Sequence, residues 1–136
     1  GRLGGRTGLD SDMTDRPVLQ PGPEHPITIT ANPARIVVTV AGKVVAETRR
    51  ALTLREATYP PVQYIPIDDV DSSLLERTET HTYCPFKGEA SYYSIPLGGD
   101  RSTDAIWVYE QPHAAVSEIK DHVAFYPSRV DAIDIE

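Results

Sequence analysis

A thiol and an amino group lie close together in one short segment, Cys84-Pro85-Phe86-Lys87-Gly88. A cysteine becomes a nucleophile when a neighbouring cation favours its thiolate, and His81 is the nearest candidate base. Residues three apart on a strand point to opposite faces, so we expect His81 on the side away from Cys84. A cysteine at the end of a strand is more typically a small buried side chain. Nucleophilic chemistry is therefore the weaker of two interpretations of this thiol.

Lys87 is the charged side chain best suited to hold a ligand. It precedes Gly88, whose missing side chain lets a ligand or another backbone segment approach closely. A lysine ammonium there would hold a phosphate or a carboxylate as a point charge. The alternative is a solvated lysine in a turn. We expect Lys87→Ala to leave the melting temperature nearly unchanged. Glu56 has two similar interpretations, a carboxylate in the pocket or part of a solvated face.

Aromatic side chains alternate with aliphatic ones on three predicted strands, 62–67, 90–95 and 105–110. Successive strand residues point to opposite faces, so each strand has an aliphatic side and an aromatic side. The rings of the aromatic side either pack against a helix or line a concave ligand site, because their polar ends need partners. The candidate ligand-binding residues are Tyr64, Cys84, Lys87, Tyr92, Trp107 and Tyr109. No residue is assigned a catalytic role.

Metal and phosphate motifs are missing from the sequence. The histidines at 25, 81, 113 and 122 lack HxH or HxxxH spacing, so we predict no metal site. There is no GxGxxG, no GxxxxGK[ST] and no GxSxG. Asp68, Asp69 and Asp71 are better explained as caps of a short helix. The sequence identifies no cofactor.

Length and charge limit the class of protein. A chain of 136 residues predicts one domain, and the net charge of −7 disfavours nucleic acid and anionic membranes as partners. The Gly-rich residues 1–13 are expected to be a tag or a disordered leader, which leaves 14–136 as a single β domain. One cysteine excludes an internal disulfide and fits a reducing, cytoplasmic location.

The pattern of short β-branched runs and many prolines predicts an all-β fold, mainly antiparallel, with two short helices at 68–76 and 112–120. The sequence predicts a β-hairpin with its turn at Ala41-Gly42 and its strands at residues 36–40 and 43–47. We expect 51–55 to continue it as a meander. A proline inside 62–67 predicts an edge strand or a bulge.

Five motifs along the chain resemble the domain-of-unknown-function family 427, from about Ile36 to Val130. They are PPVQYIP at 60–66, Asp69-Val70, CPFKGEASYY at 84–93, AIWVY at 105–109 and VAFYP at 123–127. The resemblance implies a small, curved, tent-like sheet architecture related to the Mss4-like group. It implies no established activity, although the family is also labelled nucleotidyltransferase-like. The residues of this chain give that label little support, because no Gly-Ser turn is present and Asp68-Asp69 are adjacent rather than alternate.

Three functions remain open on the sequence alone. The first is a module that binds a small anionic or planar ligand in a pocket lined by tyrosine, tryptophan and lysine. The second is an enzyme that uses the same pocket, with Cys84, Lys87 or Glu56 in an acid-base or nucleophilic role. The third is a structural or interaction protein whose aromatic face meets a partner or a second copy of the chain.

Overall fold

The computed structural model describes residues 16–136, so the expected leader at 1–13 lies outside the described residues. The described part contains ten strands. In chain order these are β1 Ile27–Asn32, β2 Ile36–Val40, β3 Lys43–Thr48, β4 Ala51–Glu56, β5 Val62–Pro66, β6 Glu76–Cys84, β7 Gly88–Ser94, β8 Ile106–Val108, β9 His122–Phe125 and β10 Ala132–Ile135. Every pairing between these strands is antiparallel, which confirms the predicted fold class.

The strands form two sheets. The larger has seven strands in the order β1-β4-β5-β9-β8-β7-β6, and the smaller has three in the order β10-β2-β3. The predicted hairpin is present as β2 and β3, and Ala41 and Gly42 both have positive φ, as a tight two-residue turn requires. The predicted meander is wrong, because β4 pairs with β1 and β5 in the other sheet.

Of the two alternatives predicted for the strand containing Pro66, an edge position or a bulge, the edge position is wrong. Strand β5 lies inside the seven-stranded sheet, between β4 and β9. Pro66 is its last residue, where the missing N–H costs the ladder least.

Helical structure is confined to short 3₁₀ segments in residues 16–136. These are Ile67–Asp69, Ser72–Leu74, Pro96–Ser102, Ala114–Ile119 and Pro127–Arg129. The helix predicted at 68–76 is present as the first two segments, and Asp71 caps the second by accepting a hydrogen bond from the Ser73 backbone N–H. The helix predicted at 112–120 is present as Ala114–Ile119. None of the described helical segments is long and apolar enough to cross a membrane.

The buried side chains form two clusters on opposite faces of the large sheet. An aliphatic cluster, containing Ile65, Ile106 and Val108, fills the space against the small sheet. A second cluster contains aromatic rings and includes the side chains of Tyr64, Tyr92 and Tyr109. The alternation in the sequence therefore predicted correctly which side chains share a face.

Candidate functional site

A cleft opens beside β5, which pairs with β4 along its first half, Val62 to Tyr64, and with β9 only at its last two residues, Ile65 and Pro66. The start of β5 and the end of β9 are therefore not joined by a hydrogen-bonded ladder. A cavity of about 960 Å³ lies at this place, and its wall includes both Tyr64 from β5 and Phe125 from β9. This volume is in the upper range for small-molecule sites in proteins.

The cavity brings together five of the six residues predicted to bind a ligand. Tyr64, Lys87, Tyr92, Trp107 and Tyr109 line it. The sixth, Cys84, packs half-buried against the same aromatic cluster but is not part of the cavity wall. Of the two alternatives for the aromatic face, packing against a helix is present in part, because the 3₁₀ residues Val116 and Ile119 cover part of this cluster. Ligand binding by the remaining rings stays a prediction.

The rings of the cavity are held in fixed relative positions. Trp107 donates a hydrogen bond from Nε1 to the hydroxyl of Tyr64 at 3.1 Å, and the two rings meet edge to face at 89°. On its other side Trp107 lies 4.5 Å from the ring of Tyr126, centroid to centroid. Such contacts add to the energy of simple burial and reduce the freedom of each ring. The cavity therefore has a largely preformed aromatic wall.

Three tyrosine hydroxyls of the cavity, those of Tyr64, Tyr109 and Tyr126, remain protonated at neutral pH. Burial raises the pKa of Tyr64 and of Tyr109, and burial together with neighbouring Tyr92 raises the pKa of Tyr126 to about 12. Tyr109 is 6% exposed, and within residues 16–136 its hydroxyl has no side-chain hydrogen bond that affects its pKa. This hydroxyl is therefore a donor that a bound molecule could use.

The turn between β6 and β7 places Lys87. Its N–H donates to the carbonyl of Cys84 at 3.1 Å, and its carbonyl accepts from the N–H of His113 at 2.9 Å. Gly88 has φ +116, and a Cβ there would lie 3.3 Å from the carbonyl oxygen of Gln111. Glycine is needed for both reasons, so the close backbone approach expected at this residue is confirmed.

The side chain of Lys87 is buried and paired, which excludes the solvated-turn interpretation. Its Nζ lies 2.5 Å from Oε1 of Glu56, and the two side chains are 9% and 14% exposed. Glu56 therefore belongs to the cavity wall and not to a solvated face.

Glu56 has a second partner, His25, which sequence reasoning missed. The His25 Nε2 donates to Oε2 of Glu56 at 2.8 Å, because an ionised carboxylate only accepts. Burial alone would raise the pKa of the Glu56 carboxyl, but the hydrogen bonds from Lys87 and His25 outweigh it and lower that pKa below its usual 4.5. The contact between His25 and Glu56 could not be predicted from a local sequence motif, since 31 residues separate the two.

His81 is placed away from the thiol, as strand alternation predicted. Its Nδ1 lies 3.4 Å from the hydroxyl of Ser91 and 3.9 Å from a carboxylate oxygen of Glu89. Cys84, in contrast, packs against the aromatic cluster. The geometry therefore provides no base for Cys84 from His81.

A comparison with known protein families gave a match over most of the chain. A family model described as a domain of unknown function, DUF427, matches residues 28–136. A comparison with curated proteins found no match. The matched region contains the whole of the cavity wall and, apart from Ile27 at the start of β1, both sheets. The chain therefore belongs to the DUF427 family.

Proposed function

We propose that this protein binds a small, planar, uncharged molecule in the cleft between β5 and β9. The observation that carries the proposal is an aromatic cavity whose one buried cation, Lys87, already has its counter-ion in Glu56. Tyr64, Trp107 and Tyr126 supply ring faces and edges against which a flat molecule would stack.

The charges of the cavity favour a neutral ligand over an ionised one. An anion near Lys87 would also meet the carboxylate of Glu56, whose oxygen lies 2.5 Å from the ammonium nitrogen. A cation would meet the ammonium itself. Burying an ion costs free energy unless an oppositely charged group is available to pair with it, whereas a neutral ring system avoids that cost.

Polar groups at one end of the cavity favour a ligand with a hydrogen-bond acceptor. A lysine ammonium has three N–H donors, and in the described part of the chain Glu56 is the side-chain partner of Lys87. The hydroxyl of Tyr109 is a further donor on the same wall. A carbonyl oxygen on the rim of the ligand would satisfy these donors.

Calorimetric titration with three compounds of matched shape tests the proposal. The probes are 2-naphthamide, 2-naphthoate and 2-naphthylmethylammonium, which are neutral, anionic and cationic. We expect the amide to bind and each ion to bind at least about tenfold more weakly. Tightest binding of the naphthoate would support the anionic ligand expected from the sequence. Binding of none of the three would overturn the proposal.

A matched pair of variants places the binding in the cavity. Tyr109→Phe removes only the hydroxyl of this side chain, and we expect it to weaken amide binding by about fivefold. Tyr93→Phe is the control, because Tyr93 packs against the aliphatic cluster on the opposite face of β7. Equal effects of the two substitutions would contradict the assignment of the cavity as the binding site.

A further inference from the structure

The segment of residues 16–26, here named the strap, lies across the turn that carries Lys87. The N–H of Leu19 donates to the carbonyl of Pro85 at 3.0 Å, and the hydroxyl of Tyr83 donates to the carbonyl of Pro17 at 2.7 Å. The Arg16 guanidinium lies 4.9 Å from the centroid of the Tyr83 ring. These contacts join the strap to the end of β6 and to the turn that follows it.

His25 is the strap residue that reaches the polar end of the cavity. A tight turn fixes its backbone, because Gly22 and His25 exchange two backbone hydrogen bonds of 3.2 and 3.0 Å around Pro23 and Glu24. Proline at the first central position of such a turn restricts φ before folding. The His25 ring then stacks on Phe86 at 4.0 Å with 5° between the ring planes. Backbone and ring are therefore both held in place.

The two carboxylate oxygens of Glu56 are divided between two donors. Oε1 faces Lys87 at 2.5 Å, and Oε2 faces His25 at 2.8 Å. A carboxylate held at both oxygens cannot rotate freely, so it keeps the lysine ammonium in one orientation. Without His25, Glu56 would have one freely available oxygen, with which it could compete for the remaining lysine donors.

We propose that His25 is a positioning residue of the cavity, which fixes the Glu56 carboxylate so that Lys87 presents its remaining donors to the ligand. This inference rests on the proposed function of the cleft. The family match begins at residue 28, so His25 and the strap lie outside the matched region. The strap thus contributes to a site whose wall belongs to the family domain.

Two substitutions in the full chain separate positioning from simple packing. His25→Ala removes the donor to Glu56, and His25→Gln keeps an N–H donor on a side chain of similar reach. The first measurement is the pKa of the Glu56 carboxyl, which is determined by ¹³C NMR during an acid titration. The second is the dissociation constant of 2-naphthamide, measured by calorimetry. Urea denaturation of each variant reports folding separately.

We expect His25→Ala to raise the pKa of Glu56 toward its usual value, because one of its two charge-stabilising hydrogen bonds is lost. Binding of 2-naphthamide should weaken by about tenfold, and His25→Gln should recover most of both losses. An alanine variant that is less stable in urea but has an unchanged Glu56 pKa and unchanged affinity would show a packing role only and overturn the inference.

The failure of the ligand proposal remains distinguishable from the failure of this inference. If 2-naphthamide does not bind the wild-type protein, the proposed function is wrong as stated, and with it the ligand-directed role of His25. The Glu56 pKa, measured without ligand, still decides whether His25 fixes that carboxylate. If the Glu56 pKa is the same in wild type and His25→Ala, His25 does not position the Glu56 carboxylate, whatever the ligand affinity.

Discussion

The Nζ of Lys87 lies 2.5 Å from Oε1 of Glu56, and both side chains are largely withdrawn from solvent. The ammonium belongs to a turn between β6 and β7, and the carboxylate ends β4. The pair therefore joins two distant parts of the seven-stranded sheet at the polar end of the cavity. Removing Glu56 leaves the ammonium buried without its counter-ion, and removing Lys87 leaves the carboxylate buried with His25 as its remaining partner. Breaking such a pair costs more than the pair itself contributes.

Lys87→Met should accordingly destabilise the protein by about 3–5 kcal/mol. This reverses the expectation from the sequence that replacing Lys87 leaves the melting temperature nearly unchanged. Urea denaturation of the single variant and of the double variant Lys87→Met with Glu56→Gln provides the measurement. The double variant should recover much of the loss, because it leaves no unpaired charge. An unfolding midpoint of Lys87→Met equal to that of the wild type would show that the pair is not maintained in solution.

The same pair makes part of the stability depend on pH. The folded-state pKa of Glu56 is lowered, so its contribution is fully present above the unfolded pKa of about 4.5 and is lost as pH falls through the lower folded value. We expect the wild type to exceed Glu56→Gln in unfolding free energy at about pH 7 and the difference to shrink toward about pH 3. A difference that stays constant between these two pH values would contradict the lowered pKa.

The hydroxyl of Tyr64 is buried and accepts a hydrogen bond from the indole of Trp107. Tyr64→Phe should therefore reduce the unfolding free energy by about 1–2 kcal/mol, because the indole N–H loses its acceptor. Thermal denaturation measures this change. Tyr93→Phe serves as the control, since the Tyr93 hydroxyl has only a 3.5 Å contact with Arg77 at the surface. Similar losses in both variants would argue that the Tyr64 hydroxyl is not specifically required.

Gly88 combines a positive φ with a close backbone neighbour, Gln111. Gly88→Ala should destabilise the protein by about 1–3 kcal/mol and weaken ligand binding, because it moves the turn that carries Lys87. Gly22→Ala is a matched control, since its Cβ would meet nothing within 4 Å. Melting temperatures of the two variants provide the comparison. A Gly88→Ala protein as stable as Gly22→Ala would mean that the turn tolerates a side chain.

Much of the fold could be predicted because strand alternation is a local property. The placement of Tyr64, Tyr92, Trp107 and Tyr109 on one face follows from a period of two within each strand. The tent-like, Mss4-related architecture implied by the family resemblance stays a prediction.

Long-range pairings could not be predicted in the same way. The sequence near Ala51–Glu56 reads equally well as a third strand of a meander, and only tertiary packing assigns it to the other sheet. His25 and Lys87 each lie 31 residues from Glu56, so no local spacing joins the three side chains. The change of partner along β5, which opens the cavity, likewise depends on contacts between distant segments.

Trp107 is the only tryptophan of the chain, and it forms part of the cavity wall. Intrinsic tryptophan emission from this protein therefore has a single source, located at the candidate site. A local rearrangement of the cleft would change that emission even if the two sheets stayed intact, and bound molecules would change it directly. Emission and far-ultraviolet circular dichroism thus report different events, and unfolding curves followed by the two need not coincide.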